Sequence, residues 1–431
     1  MSNSPPNALP PRTLSVRALV VASLALFVDN LVIGLAVPVL PLLPAVVEAG
    51  PAMTGVLFAS YAIALVLAAL LSGRLVDRVG PKTPLLIGMV GLAAATLIFA
   101  IGEPYWLLLV ARFAQGVAGG MSWVAGLALI AATTSFDKRG MAMGIAISTI
   151  TLGVLIGPPV AGFMVEEFGT ASPFILAACV AILDGILRIT LVRNVPRTTD
   201  DTGGPLTVLR VPGSWSIIIA IAIGAAVIAA LEPVLPVHLD ASPLLIGLLF
   251  ALAALVGVIA NPIVGAMVSR VSPRLLIGLG IASVVASLLL VGWSTPIWLI
   301  AVGMGLLGAA AAFLQAPATA LISVQGFRSQ PPTLGGSYAL YTLAYAVGLA
   351  VGPLLAGFGV EQLGFAGAMT VTAALLAVVG VISLGRLPGM PTGQRQMPTP
   401  QPRLKLDPRC RYAESRIPGT CESPAGLSAR G

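Results

Sequence analysis

The chain has 431 residues, of which 57% are apolar and only 9% are charged. A soluble protein of this length carries charge on roughly a quarter of its residues, so the composition excludes a water-soluble fold for most of the chain. The net charge of +7 follows from basic residues between apolar segments and does not indicate nucleic-acid binding. The three cysteines show no disulfide framework or metal-ligand spacing, and the single histidine leaves little scope for imidazole chemistry.

Twelve long apolar segments follow one another along the chain. Most reach the roughly 20 residues that a helix needs to cross the hydrocarbon core. Their apolar runs are continuous and do not alternate with polar residues, which favours helices over a membrane barrel. The expected fold is therefore an all-α membrane protein with twelve transmembrane helices. The predicted spans are 17–43, 52–76, 83–102, 105–134, 140–165, 171–193, 214–238, 243–269, 274–292, 296–323, 334–360 and 364–386.

Polar segments divide the predicted helices into two groups. The Pro-rich stretch 1–16 has no cleavable signal pattern, so the first span is expected to be retained. The only sizeable internal linker, 194–213, separates a six-helix bundle at 17–193 from a second at 214–386. The segment 387–431 has too few apolar residues to pack, which predicts a disordered tail.

Basic residues are confined to alternate loops, and this predicts the orientation in the membrane. One end of the bundle, here called the basic face, carries Arg74, Arg78, Lys82, Lys138, Arg139, Arg270, Arg274 and Arg328. The loops at the opposite end, the acidic face, contain no Lys or Arg but hold Glu48, Glu103, Glu166, Glu167, Asp240 and Glu361. Because cytoplasmic loops carry the excess of basic residues, both termini and the linker are expected in the cytoplasm.

The two predicted bundles share short sequence repeats in the same order. Pro38-Val-Leu-Pro41 recurs as Pro233-Val-Leu-Pro236, and the string from Gly55 to Ala59 recurs with one change from Gly247 to Ala251. The segments 73–82 and 153–163 also have counterparts, at 265–274 and 348–358, and all four matches have offsets of 192 to 195 residues. Two halves related by an axis along the membrane normal are typical of secondary transporters. Chance similarity between Gly- and Pro-rich apolar helices is the alternative.

Two of these repeated segments carry a family resemblance. The loop from Gly73 to Lys82 resembles the cytoplasmic loop signature of the major facilitator superfamily, and the pattern Gly-x-x-x-Gly-Pro-x-x-x-Gly beginning at Gly153 resembles its antiporter signature. The resemblance implies a cytoplasmic gate at Gly73, Asp77, Arg78, Gly80 and Lys82, and an antiporter motif at Gly153, Gly157, Pro158 and Gly162. The second copy of the loop has Ser269 in place of Asp77, so the gate is expected to be asymmetric.

Further strings are similar to the vesicular amine transporters and their bacterial drug–proton antiporter relatives. These strings are Leu26 to Asn30 with Pro38 to Pro41, Arg112 to Gly116, and Leu231 to Pro236. The resemblance covers about residues 17–386 and implies a carrier in a bacterial plasma membrane. The chain departs from the vesicular carriers where they have a lysine in span 2 and aspartates in spans 10 and 11. It has Tyr61, Ala312 and Thr342 there, so a simpler antiporter is favoured over a strict monoamine carrier.

Ionisable residues inside the spans are the first candidates for function. A carboxylate deep in a membrane helix costs about 3 kcal/mol even on lenient scales, and Asp29 and Glu232 are the two expected to bind a proton or a cation in exchange. The alternative is that they lie near helix ends and reach the headgroups. Arg112 is expected to be the only basic residue deep in a span, either countering a carboxylate and relaying movement or forming a structural ion pair. Asp184 and Arg188 are interpreted as a structural i,i+4 pair.

Polar and aromatic residues within the spans are candidates for lining a substrate cavity. Tyr338, Tyr341 and Tyr345 share a helix face, where they could contact an aromatic amine through cation–π interactions or only pack. The amides are open to the same two interpretations, a cavity lining or ties between helices; they are Asn30, Gln115, Asn261 and Gln315. Glycines 153, 157 and 162 are expected to admit a neighbouring backbone, while Pro158 and Pro159 bend their helix.

These features together predict a proton-coupled secondary transporter that exports lipophilic organic cations by alternating access. Its expected partners are a small cationic substrate, protons and the lipid bilayer, without nucleic acid, metal or cofactor. A carrier of the same superfamily for a sugar, peptide or siderophore is the alternative, and an enzyme or channel is less favoured. The Gly-rich runs lack the Gly-Lys-Ser/Thr ending of a phosphate-binding loop, which disfavours an ATP-driven pump.

Overall fold

The computed structural model describes residues 16–80, 82–133, 136–191, 204–239 and 241–388. Side chains are not described at 16–18, 73–74, 76–78, 127–128, 131–133, 136–144, 146–147, 191 and 334. The predicted N-terminal segment 1–16 and the predicted disordered tail 387–431 lie almost wholly outside the described residues, as does most of the predicted linker.

The described chain is built from helices. The first half contains α1 (Val16–Ala36), a 3-10 turn (Leu40–Leu42), α2 (Pro44–Val79), α3 (Lys82–Ile101), α4 (Tyr105–Thr133), α5 (Phe136–Phe168) and α6 (Ser172–Leu191). The second half contains α7 (Pro205–Leu209), α8 (Ser214–Leu231), α9 (Leu235–His238), α10 (Pro243–Met267), α11 (Pro273–Trp293), α12 (Ile297–Arg328) and α13 (Leu334–Leu384). The predicted all-α membrane fold is confirmed.

The count of spans depends on how α13 is divided. Eleven helical segments in the described residues are long and apolar enough to cross a membrane, and the last of them runs over 50 residues from Gly335 to Leu384. A helix of that length would extend about 75 Å, more than twice the hydrocarbon thickness. The run breaks at Gly364, whose φ of 70° is in the left-handed region. The chain therefore crosses twice within α13, as the sequence predicts.

The second and seventh predicted spans differ most from the structure. The second begins at Pro44, ahead of the predicted 52, and contains a break at Gly50 with φ 87°. The seventh, predicted as a single helix over 214–238, leaves the helix after Leu231 and resumes as α9. The interruption falls at Pro233, because proline has no N–H for the helical ladder. Its repeat counterpart, Pro38 to Pro41, leads into the 3-10 turn at the corresponding point of the first half.

Small residues allow the helices of each half to pack closely. In the first half α2 packs on α4, α1 packs on α4, α5 and α6, and α3 packs on α4 and α6. In the second half α8 packs on α13, and α12 packs on α10 and α11. A Cβ on Gly116 would lie 2.2 Å from the carbonyl oxygen of Tyr61, and one on Gly308 would lie 2.0 Å from that of Ala253. Such backbone approach is the usual basis of helix association in lipid.

The two halves meet along α2 with α13 and along α5 with α10. The tightest contacts between them lie toward the acidic face. A Cβ on Gly55 would lie 2.4 Å from the carbonyl oxygen of Pro353, and one on Gly247 would lie 2.2 Å from that of Pro158. The 3-10 turn and α9 also touch at this end. The described bundle is therefore closed at its acidic face.

Candidate functional site

A cluster of three buried charges occupies the first half. Nη2 of Arg188 on α6 lies 3.5 Å from Oδ1 of Asp29 on α1 and forms a closer ion pair with Asp184, one turn earlier on α6. All three side chains are almost completely buried. Nη1 of Arg188 also donates to the carbonyl oxygen of Leu85 at 3.1 Å and to the hydroxyl of Ser122 at 3.3 Å. Arg188 therefore connects α6 to α1, α3 and α4.

This cluster corrects two interpretations of the sequence. Arg112 is not the only basic residue deep in a span, because Arg188 is fully buried as well. Asp184 and Arg188 form more than an isolated pair within one helix, because the same guanidinium also pairs with Asp29. The spacing along α6 reveals the i,i+4 pair. The third member, Asp29, is 155 or more residues away in sequence, and no periodicity links it to α6.

Arg112 lies in a second buried network on α4. Its Nη1 donates to Oε1 of Gln115 at 2.8 Å, and Nε2 of Gln115 donates to the hydroxyl of Thr96 at 2.9 Å. The guanidinium carbon lies 5.2 Å from the ring centre of Phe58 and 4.9 Å from that of Tyr61. No carboxylate forms an ion pair with Arg112 among the described residues. Its charge is therefore stabilised by one amide, two aromatic faces and the electrostatic attraction of Glu232, which does not form an ion pair with it.

Glu232 lies at the break between α8 and α9, in the second half. It is partly buried, and none of the described residues forms a hydrogen bond or ion pair with its carboxylate. It interacts electrostatically with Arg112 and with Tyr61, both in the first half. Apart from Glu361, which is exposed on α13 near the acidic face, it is the only carboxylate in the described part of the second half. Glu232 is thus an unpaired carboxylate near the boundary between the halves.

Of the three predicted tyrosines, Tyr345 interacts with this carboxylate and Tyr341 stacks on Tyr345. The rings of Tyr341 and Tyr345 on α13 stack with centres 6.2 Å apart and planes inclined by 15°. The hydroxyl of Tyr341 donates to Oε1 of Gln315 on α12 at 2.8 Å, and Nε2 of Gln315 donates to the carbonyl oxygen of Ile221 on α8 at 3.3 Å. Tyr345 interacts electrostatically with Glu232. A polar and aromatic wall therefore flanks the Glu232 carboxylate.

The remaining cavity candidates are not part of this wall. Tyr338, one turn before Tyr341 and closer to the basic face, is 50% exposed. Asn261 is exposed on α10, also toward the basic face. Asn30 donates from Nδ2 to the carbonyl oxygen of Leu26 at 2.8 Å, so its amide is engaged by its own helix. Among the predicted amides, Gln315 is next to the tyrosines and Gln115 is bound to Arg112.

A small cavity lies between the halves on the acidic side of Glu232. Its volume is about 240 Å³, and its walls include Thr54, Pro233, Val234 and Phe365. The ring of His238 stacks on that of Phe365, with centres 3.7 Å apart and planes within 9° of parallel. These groups separate Glu232 from the acidic face.

The glycines of the antiporter-like motif contact two different helices. A Cβ on Gly153 would lie 2.6 Å from the carbonyl oxygen of Phe27 on α1, and one on Gly157 would lie 2.7 Å from the Cα of Gly34 on the same helix. Gly162 faces the other half, where a Cβ would lie 2.4 Å from the carbonyl oxygen of Pro243. The motif thus packs α5 against the helix that carries Asp29 and against α10 of the second half.

The predicted cytoplasmic gate lies largely outside what the structure describes. The side chains of Asp77 and Arg78 are not described, and Gly73 is described only as part of α2. Gly80 has φ 81°, which separates α2 from α3. Lys82 is the first residue of α3. The cytoplasmic gate at this loop therefore stays a prediction.

Three residues around the candidate site were not in the predicted set. Tyr61 places its hydroxyl over Gly119, where a Cβ would lie 2.7 Å from that oxygen, and it interacts electrostatically with both Asp29 and Glu232. Asp184 and Arg188 complete the charge cluster of Asp29. The sequence could have pointed to Arg188, because it is a basic residue within an apolar span. It could have pointed to Tyr61, because this residue is at the position where the vesicular carriers have a lysine.

Comparison with known proteins assigns the family. The model of the Major Facilitator Superfamily matches residues 22–240 and again 214–409. The chain belongs to this superfamily. It is a multi-pass membrane transporter, and the two matched ranges overlap over residues 214–240.

The curated relatives include vesicular transporters of animals. The chain is 32% identical to the chromaffin granule amine transporter of Rattus norvegicus over 77% of its own length and 63% of the relative's. It is 32% identical to the probable vesicular acetylcholine transporter-B of Danio rerio over 80% of its length and 74% of the relative's. The chain therefore spans less than two thirds of the rat protein. The predicted family resemblance is confirmed.

A solved structure supports the fold assignment. A bacterial homologue of the human lysosomal transporter Spinster, in an inward-facing and unoccupied conformation, superposes with a TM-score of 0.68 at 16% sequence identity. The match covers 88% of this chain and 96% of the other. At this level of identity the similarity shows a common fold only.

Proposed function

We propose that this chain is a proton-coupled antiporter that exports lipophilic organic cations from a bacterial cell by alternating access. Under this proposal both termini are cytoplasmic, and the acidic face is the outer one. The main support is the position of Glu232, an unpaired carboxylate beside stacked tyrosines near the boundary between the halves. A carboxylate flanked by aromatic rings is a chemical match for an organic cation.

The two carboxylates have different environments, which supports a division of roles. Asp29 is held by the guanidinium of Arg188, so an arriving organic cation would have to displace an existing positive charge. Glu232 has no such ion pair among the described residues and is close to the apolar and aromatic groups of α13. We assign proton binding to Asp29 and cation binding to Glu232.

Closure at the acidic face supports the alternating-access part of the proposal. With the halves in contact at Gly55, Gly162 and Gly247, a substrate at Glu232 is separated from the acidic face. If that face is external, the structure corresponds to a state that is closed to the outside of the cell. Export then requires these glycine contacts to separate while the halves approach each other at the basic face.

Gradient-driven uptake into proteoliposomes tests the proposed function. The purified protein is reconstituted, and uptake of tetraphenylphosphonium is measured with the lumen more acidic than the medium and again at equal pH on both sides. We expect uptake to exceed that of protein-free liposomes only when the pH gradient is present. Competition by other lipophilic cations, but not by a sugar or a dipeptide, separates this function from the alternative carriers. No gradient dependence would contradict proton coupling.

Two neutral variants test the division of roles. Asp29→Asn keeps the side-chain size but cannot release a proton, so gradient-driven uptake should be lost while tetraphenylphosphonium binding stays within about threefold of wild type. Glu232→Gln should weaken binding of that cation by about tenfold or more. Glu361→Gln, which neutralises an exposed carboxylate on α13, is the matched control and should change neither. Uptake that is still driven by the gradient in the Asp29→Asn, Glu232→Gln double variant would refute the assignment.

A further inference from the structure

The charge balance around Arg188 leads to a more specific inference, which rests on the proposed antiport. We propose that Arg188 joins Asp29 and Asp184 into one proton-binding site, and that its positive charge sets the pH at which this site exchanges its proton. Asp184 is then part of the coupling machinery, and Arg188 is a positioning residue that acts through the two carboxylates. The cation site at Glu232 is separate.

Geometry supports a single shared site. One nitrogen, Nη2 of Arg188, is the contact for Asp29 at 3.5 Å and also the contact for Asp184. The two carboxylates also repel each other electrostatically. Two like charges this close to one shared cation cannot titrate independently. A proton that binds to either carboxylate therefore changes the affinity of the other.

The formal charge of the cluster explains how one proton can be exchanged. With both carboxylates ionised, two negative charges face one guanidinium, which leaves a net charge of −1. Binding of one proton to a carboxylate oxygen brings the buried cluster to zero, and release restores −1. In an apolar environment this single excess charge is costly, so a proton is bound readily when one face of the membrane is acidic.

The helices packed around the cluster contribute few other charges. On α3 and α4 the contacts of Arg188 are neutral, namely the Leu85 carbonyl and the Ser122 hydroxyl. On α2, Tyr61 interacts electrostatically with Asp29. The described side chains of α5 facing α1 are apolar or hydroxylated, with glycine at 153 and 157. Among the described residues the charge of the cluster is thus set by its own three members.

The position of Asp29 on α1 connects this site to the movement of the halves. α1 packs on α5 through Gly153 and Gly157, and α5 continues to Gly162, which contacts α10 of the second half. A change of charge at Asp29 therefore acts on a helix that is one packing layer from the contact between the halves. Arg188, on α6, holds α1 through its ion pair with Asp29.

Neutral variants with opposite expected effects test this inference. The measurement is tetraphenylphosphonium counterflow in proteoliposomes at equal pH on both sides, recorded as a function of pH, because a protonated cluster should disfavour cation loading. Arg188→Gln leaves two carboxylates without a cation, so the pH midpoint should move to higher pH by about one unit or more. Asp184→Asn leaves one carboxylate with one guanidinium, so its midpoint should move by a similar amount to lower pH.

The double variant provides the decisive comparison. Arg188→Gln with Asp184→Asn restores the net charge of −1, so its midpoint should lie between those of the single variants. Arg188→Lys keeps the charge and should shift the midpoint less than Arg188→Gln. Arg210→Gln, at an exposed arginine outside the cluster, should leave it unchanged. If the single variant Arg188→Gln does not fold, the effect of the guanidinium is still measured by comparing the pH midpoint of the double variant with that of Asp184→Asn.

The outcomes separate this inference from the proposed function. Shifts of the two single variants in the same direction, or no shift in folded protein, would overturn the shared site while leaving proton coupling intact. A purely structural role for Arg188 would lower activity in both single variants without ordered shifts of the midpoint. Counterflow in the wild type that is independent of pH, together with no gradient-driven uptake, would overturn the proposed function and this inference with it.

Discussion

Glu166 in the first half accepts a hydrogen bond from the backbone N–H of Leu244 in the second half, with Oε1 and N 3.1 Å apart. Leu244 is in the first turn of α10, where a free N–H and the helix dipole both favour a carboxylate. This bond joins the two halves at the acidic face. It should stabilise the closed arrangement seen in the structure.

Removal of this bond should favour separation of the halves at the acidic face. Glu166→Ala loses an interaction of about 1–2 kcal/mol, which corresponds to a change of roughly 5- to 30-fold in the balance of open and closed forms. A cysteine at Val234, which is buried at the seam, reports opening through its rate of thiol labelling in a background without the natural cysteines. Glu167→Ala, at the adjacent exposed residue, is the control, and an equal effect of both variants would contradict the role of Glu166.

The stacked tyrosines should contribute to cation affinity through their rings more than through their hydroxyls. Tyr341→Ala removes one face of the pair and should weaken tetraphenylphosphonium binding by about 1 kcal/mol, or roughly fivefold. Tyr341→Phe keeps the ring and loses only the hydrogen bond to Gln315, so its effect should be smaller. Tyr338→Ala, at the exposed residue one turn away, should have little effect. Equilibrium binding to purified protein is the measurement, and equal losses in Tyr341→Ala and Tyr338→Ala would contradict the assigned wall.

The close backbone contact at Gly247 should help to keep the two halves together at the acidic face. An alanine there would place its Cβ 2.2 Å from the carbonyl oxygen of Pro158, so α10 would have to move away from α5. Overpacking of this kind costs about 1–3 kcal/mol, and Gly247→Ala should raise the labelling rate at Val234→Cys and slow transport. Gly265→Ala on the same helix, where a Cβ would meet no atom within 4 Å, is the matched control. Unchanged labelling in folded Gly247→Ala would argue against this contact as part of the seal.

Orientation in the membrane is testable by labelling from one side. With Cys179, Cys410 and Cys421 replaced by serine, Glu103→Cys should react with a membrane-impermeant maleimide in intact cells, because its loop is on the acidic face. Thr199→Cys, in the predicted linker, should react only after the cells are opened. The reverse pattern would invert the orientation and would make the closed face cytoplasmic.

The helices and the family were predictable because they depend on signals that are local in sequence. Apolar length alone locates the spans, since the bilayer imposes the same requirement on each. The break in span 7 at Glu232 to Val234 was within reach as well, because Pro233 and Pro236 lie inside it. The start of span 2 was predicted at 52 and missed the short helical piece from Pro44 to the break at Gly50, because composition does not distinguish that piece from a loop.

The charge cluster was not predictable from the same signals. Asp29 and Arg188 are far apart in sequence, and their contact depends on how α1 and α6 pack. Spacing shows only that Asp184 and Arg188 are one turn apart, which is equally typical of a surface pair. The contact of Tyr61 with Arg112 was not predictable either. It depends on the close approach of α2 and α4 at Gly116, which only the three-dimensional structure shows.

The isolation of Glu232 among the apolar side chains of the second half also bears on the valence of the transported ion. Ala312 and Thr342 supply no further negative charge there, and Arg112 already contributes a positive one. A dication bound at Glu232 beside Arg112 would leave two uncompensated positive charges, one more than a monovalent cation leaves, at an additional cost of several kcal/mol. The carrier should therefore discriminate against bis-quaternary compounds and accept monovalent cations of similar size and lipophilicity.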